Sequence, residues 1–170
     1  MKRPLLPFAA LLVAASAFGA ELARPLDKAN VLPLALEDGF EFRKTKLFLN
    51  DPDLVKVVTS ERMIAFERER IRFGAVTGYD ERQRRGHYLS FFWRTKREAD
   101  LTVRLEYRQA NLGSYVQAKE IEYKGVKGSR KTEFQIIGDD YREDGRITAW
   151  RALLIEKGRI VALNQSFLWN

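Results

Sequence analysis

An all-β fold, a single antiparallel β-sandwich of about eight or nine strands, is predicted by two features of this sequence. Apolar and polar residues alternate along most of its length, and turn-forming residues recur at short intervals between the alternating runs. A third observation sets the start of the folded part, because the first twenty residues have the composition of an export signal rather than of a strand. At 170 residues the chain is one domain, long enough to bury an ordinary core. It has no cysteine and one histidine, so disulfides, thiol nucleophiles and Cys/His zinc centres are excluded.

In chain order, Lys2 and Arg3 precede an apolar run from Leu5 to Phe18 and a small-residue exit, the three parts of a secretory signal peptide. The apolar run has 14 residues and contains Pro7, whereas a spanning helix needs about 20 apolar residues. Cleavage after Gly19 places Ala17 and Gly19 where small side chains are required. Residues 1–19 are therefore read as the signal and the mature chain as starting near Ala20. The expected destination is the periplasm or the exterior, with no transmembrane segment in the mature chain. Residues 20–39 carry Pro25 and Pro33 and no period, which reads as an extended lead-in along the surface of a domain spanning 40–170.

The clearest strand is 101–107, where Leu101, Val103, Leu105 and Tyr107 share one face and Thr102, Arg104 and Glu106 the other. Similar runs fall at about 41–49, 54–59, 63–73, 87–95, 115–123, 131–137, 146–155 and 159–169. The last two are joined through Gly158, placed for a hairpin turn. Segment 60–71 also has helix-forming composition with Ser60 as a cap. Two alternating pairs, Ile64/Phe66 and Ile71/Phe73, favour a bulged strand there.

Charged residues on both faces of 115–123 argue against a lipid-facing barrel. A lipocalin-like ligand-carrying barrel fits the size and the export signal but lacks its Gly-x-Trp signature. Trp93, Trp150 and Trp169 lie in mid or late strands among Phe and Leu, as core residues do. Two packed sheets, immunoglobulin-like in general architecture, are preferred.

Catalytic groups are scarce. His87 is the only imidazole, and none of Ser90, Ser114, Ser129 and Ser166 sits in a nucleophile elbow. The pairs Glu120/Glu122 and Glu67/Glu69 share strand faces, the arrangement from which a small exported hydrolase would draw acid and base. The acidic segment 138–145 offers Asp139, Asp140 and Asp144 to calcium. It fails the EF-hand template, since Arg142 and Arg151 stand where ligands are needed. No cofactor is implied.

The stronger signal is positive charge, with 30 Lys+Arg against 23 Asp+Glu. The run 82–97 holds six basic residues, four aromatics and no acid, and 124–131 is a second basic stretch. In an extended strand Arg85 and Arg94 lie about 30 Å apart, two basic ends rather than one nucleic-acid track, which disfavours nucleic acid as partner. The expected function is an exported, non-catalytic binding or structural module of the cell envelope. Weak polyanion binding is assigned to Arg82, Arg84, Arg85, Lys127, Arg130 and Lys131. A protein partner at the terminal edge strand 159–169 is a second expectation.

Overall fold

The computed structural model describes residues 23–54 and 62–169. Its strands are β1 (Arg24–Leu26), β2 (Phe40–Asn50), β3 (Gly86–Gln109), β4 (Gln117–Ile137), β5 (Ile147–Glu156) and β6 (Arg159–Gln165). Three short helices join them, α1 (Arg62–Arg72), α2 (Gly78–Gln83) and α3 (Asp139–Asp144). All six strands belong to one open antiparallel sheet in the order β1-β4-β3-β5-β6, with β2 also paired to β3.

Among the described residues the count is six rather than eight or nine, in part because runs expected to be separate strands are continuous. The runs 87–95 and 101–107 are both part of β3, and 115–123 and 131–137 are both part of β4. Between them the chain bends instead of turning. The register of β3 on β4 shifts between Thr95 and Ala99 and again before Leu101. The facing stretch of β4 carries Gly125 and Gly128 in left-handed conformation. The run 54–59 falls almost wholly outside the described residues.

The bend lets one sheet enclose a core. β4 follows one edge of β3 throughout, while the other edge takes β2 along 86–95 and β5 along 102–109. The odd-numbered residues of β3, Leu89 to Trp93 and Leu101 to Tyr107, all enter one cluster with Phe134, Ile136, Leu154 and Val161. Phe91 meets Trp150 of the other half at 5.3 Å between ring centroids, and Trp93 meets Tyr123 at the same separation. The interior is therefore filled with side chains, which replaces the closed ligand-carrying barrel by an open sheet with a packed core. The alternation expected at 101–107 is present, and Trp93 and Trp169 are buried.

Segment 63–73 is a helix, correcting the bulged strand. Helical spacing puts half-buried Ile64 and buried Ile71 seven residues apart on one face, and Glu67 and Arg70 pair at 3.0 Å across i,i+3. Phe66 and Phe73, which completed the apparent alternation, are left exposed. The β5–β6 hairpin is as expected, a two-residue turn with Lys157 and Gly158 both at positive φ.

Residues 23–39 are extended and cross the sheet. β1 pairs with 118–120 of β4, and the Ala35 and Glu37 amides donate to Ile160 and Val161 at the outer edge of β6. Between these anchors Leu32 packs on Leu153, Ile155 and Ile160, and the Asn30 carbonyl accepts from Arg104 at 2.9 Å.

Candidate functional site

A concave site of about 390 Å³ lies at the end of the sheet where β3 begins and β4 ends. Its cationic wall is Arg82, Arg85, Arg142 and Arg146, and Asp51, Asp139, Leu54, Ala110, Asn111 and Tyr141 are among the rest of its lining. Local structure brings each of these to the rim.

α2 delivers Arg82. It is too short to be stable alone, and a capping box holds it: the Asp80 amide donates to the Thr77 hydroxyl at 3.1 Å and the Thr77 amide to the Asp80 carboxylate at 2.9 Å. Those bonds hold the exposed Asp80 carboxyl below its ordinary range. Immediately after α2, Gly86 enters β3 so close to β4 that a Cβ would sit 2.2 Å from the Ile136 carbonyl oxygen, at φ 137°. Only glycine fits this entry, and it fixes where Arg85 stands.

α3 supplies Tyr141 and Arg142. The fully buried Gln109 amide donates to the carbonyls of Asp140 at 3.1 Å and Gly145 at 2.7 Å, tying both ends of α3 to the end of β3. Arg146 follows immediately, before β5. Asp51, just beyond β2, accepts from the Asp53 amide at 3.0 Å and from the Tyr141 hydroxyl at 2.7 Å. Burial pushes the Asp51 carboxyl up, but Tyr141, the Asp53 and Leu54 amides and the Arg85 charge outweigh it and hold it below the usual range. Burial and the Asp51 carboxylate push the Tyr141 phenol up, so it stays protonated and donating.

Among the residues that line the cavity, four arginines face two carboxylates. Arg85 is paired with Asp53, and Arg142 with Asp139 at 3.0 Å and Glu143 at 3.4 Å. Among the described residues, the guanidinium groups of Arg82 and Arg146 have no hydrogen-bond or ion-pair partner. Both lining carboxylates, Asp51 and Asp139, are already engaged. The site is an excess of positive charge in a concavity with a few apolar and hydrogen-bonding walls, the chemistry of an anion-binding pocket.

His87 stands behind Tyr141, with ring centroids 5.7 Å apart. Its Nε2 accepts the Ile147 amide at 3.0 Å, so the ring proton belongs on Nδ1 and the lone pair is occupied. Burial, reinforced by the Arg146 charge and opposed weakly by Asp51, lowers its pKa to about 4. The carboxylate pairs are committed to cations or separated. Arg24 bridges Glu120 and Glu122 at 3.8 and 2.9 Å, Glu120 is also buried against Arg104 at 2.6 Å, and Glu67 and Glu69 lie on a helix, where residues two apart do not share a face. Ser90 donates to Glu133 at 3.0 Å and the Ser166 hydroxyl accepts the Trp150 amide at 3.0 Å.

The six basic candidates separate. Arg82 and Arg85 line the pocket, but Arg84 turns away and caps the C-terminal end of α1, donating to the Ile71 carbonyl at 2.8 Å and to that of Phe73. Lys131 lies opposite Phe92, about 23 Å up the strand from Arg85. There it shares the Phe92 ring with Lys46, each at 5.9 Å, and pairs with Glu133 at 2.6 Å. Lys127 and Arg130 are exposed near the bend, farther still from the pocket. The three calcium candidates have different partners: Asp139 meets Arg142, Asp140 meets Lys119 at 3.2 Å, and Asp144 accepts from Gln117 at 3.0 Å. Among the described residues no three acidic or imidazole groups cluster as metal ligands.

Arg142, Arg146, Tyr141 and Asp51 were not anticipated. The signal for the two arginines was present as a pair four residues apart within a segment whose acidic residues dominate its composition. A larger open groove of about 650 Å³ runs past the sheet bend, but its central cation, Arg97, is committed to Glu156 at 2.6 and 2.7 Å and to Glu37 at 3.1 Å. No protein-family model, curated protein or solved structure matches this chain.

Proposed function

We propose that this protein is an exported, non-catalytic binding module of the cell envelope that recognises anionic groups at the arginine-lined pocket. The observation that carries the reading is the convergence of four arginines on one concavity with Arg82 and Arg146 uncompensated. Export rests on the N-terminal signal pattern, and the mature product starts near Ala20 in the periplasm or outside the cell. A binding role is favoured over hydrolysis because the His87 lone pair is occupied and Glu120 and Glu122 are held by Arg104 and Arg24. The pairing of Asp139, Asp140 and Asp144 with separate partners likewise gives calcium little support. The immunoglobulin-like sandwich keeps its support in the packing of Phe91 and Trp93 of one half of the bent sheet on Trp150 and Tyr123 of the other.

A polyanion longer than about 25 Å reaches from the pocket to Lys131, so the two basic zones serve one extended ligand. An edge-strand partner has less room at β6, because the lead-in already occupies its outer edge beside Ile160 and Val161. The test is binding of dextran sulfate as a function of salt. Reversing Arg82 and Arg146 to glutamate is expected to weaken it at least about tenfold at about 0.1 M salt and to flatten the salt dependence. Unchanged affinity and slope would overturn the reading. N-terminal sequencing of the exported product checks the cleavage site.

A further inference from the structure

We infer that the pocket takes one compact dianionic group with three or more peripheral oxygens, a phosphate monoester or its equivalent, rather than a carboxylate. The inference rests on the anion-binding reading and goes further by naming the ligand class. Counting the donors that are still unused gives the reason. Arg85 and Arg142 are balanced by Asp53 and by Asp139 and Glu143, and Asp51 is held by Tyr141 and two backbone amides. What remains open is two guanidinium forks, those of Arg82 and Arg146.

A carboxylate carries one charge on two oxygens, and one arginine in a bidentate pair balances that charge. Two open forks in one cavity are matched by a group of about two charges whose oxygens point in more than two directions, which is what a phosphate monoester presents. Asn111 and Tyr141 add polar wall, while Leu54 and Ala110 leave an apolar side for the organic part of the ester. About 390 Å³ is enough for such a ligand and too little for a polymer segment to be enclosed. The field is strong enough to be felt behind the wall, where the Arg146 charge helps to keep His87 neutral.

The same group has two sources in an envelope, a soluble phosphate ester and the headgroup of an acidic lipid, and the experiment separates them. Titration calorimetry on the full protein at pH 8 and low salt compares inorganic phosphate, acetate and dextran sulfate, and a flotation assay uses vesicles containing phosphatidic acid. Phosphate is expected to bind at least about tenfold more tightly than acetate. The double variant Arg82→Gln/Arg146→Gln is expected to lose at least about tenfold of that affinity with an unchanged melting temperature. Arg159→Gln, on the β5–β6 hairpin outside the pocket, retains it. Capture by vesicles that is lost in the double variant identifies a lipid headgroup as the source, and phosphate binding without capture identifies a soluble ester. Equal affinity for phosphate and acetate, both lost in the double variant, overturns the dianion assignment and leaves anion binding standing. Phosphate binding that survives the double variant places the ion elsewhere and overturns the inference. Absence of binding to phosphate, acetate and dextran sulfate alike overturns both.

Discussion

On the outer face of the bent sheet, Arg104 and Arg151 lie among carboxylates. Arg104 contacts Glu120 at 2.6 Å and Glu106 at 3.6 Å, and Arg151 donates to Glu106 at 3.0 Å. At the end of the sheet, Arg82 and Arg146 line a concavity, and among the described residues neither has a hydrogen-bond or ion-pair partner. All four are arginines on a basic chain, and composition counts them alike. They differ in cross-strand register. Arg104 stands directly opposite Glu120, and Glu106 opposite Arg151, so β-pairing itself neutralises them. Arg82 lies in the last turn of α2 and Arg146 just past α3, outside the strand pairing that sets acid against arginine. The sheet face uses arginine to bury carboxylates, whereas the pocket leaves two arginines exposed at its rim.

The largest expected effect breaks the first region. Arg104→Met leaves Glu120 and Glu106, 8% and 3% exposed, short of a cation, and is expected to cost about 3–5 kcal/mol in urea unfolding. Adding Glu120→Leu removes the buried carboxylate left with only the 3.8 Å contact to Arg24 and recovers most of that loss, because Glu106 keeps Arg151. A cost below about 1 kcal/mol for Arg104→Met would place these side chains in water and dissolve the contrast with the pocket.

The next effect joins the two regions through pH. His87 has its pKa lowered from 6.5 to about 4, so the unfolded chain binds a proton between these values that the folded protein refuses. Stability from this residue is fully present above about pH 6.5 and falls as the pH drops toward 4, by about 2–3 kcal/mol. His87→Gln keeps an acceptor for the Ile147 amide and is expected to flatten the unfolding free energy over that window. A curve as steep as that of the unaltered protein would mean that other groups carry the dependence. A smaller effect belongs to the helix that delivers Arg82. Thr77→Ala removes one half of the capping box at a cost of about 1 kcal/mol, read as faster amide exchange across residues 78–83 with the sheet unaffected.

What the sequence disclosed and what it hid divide along the same line. The alternation of Leu101 to Tyr107 is local, and it correctly gave a strand with a core face and a charged face. Helix α1 was missed because Ile64, Phe66, Ile71 and Phe73 satisfy both periods. Part of what holds the helix, the cap that Arg84 puts on its C-terminal end, comes from thirteen residues beyond Ile71. Gly125 and Gly128 read as a loop because left-handed glycines usually end a strand, and here they bend one. Half of the pocket, Arg82 and Arg85, was legible as a basic run. The other half was hidden in an acidic segment, because it is the pairing of β3 with β4 and β5 that brings Arg142 and Arg146 beside them.

The smallest expected change in stability is the sharpest test of the comparison. Arg82 and Arg146 are exposed and unpaired, so Arg82→Gln and Arg146→Gln remove no ion pair and are expected to alter the unfolding free energy by less than about 0.5 kcal/mol each. Relieving repulsion among four cations around one cavity gives the change a stabilising sign at low salt, fading as the Debye length falls to about 8 Å near physiological ionic strength. A structural arginine loses stability when it is neutralised, as Arg104 is expected to. An arginine held ready for an anion gains or keeps it and loses only binding. If Arg82→Gln and Arg146→Gln destabilise the fold as Arg104→Met does, the pocket is a second ion-pair network whose acidic partners remain to be located. If they stabilise it, the repulsion is a cost retained in the free protein and relieved when an anion enters.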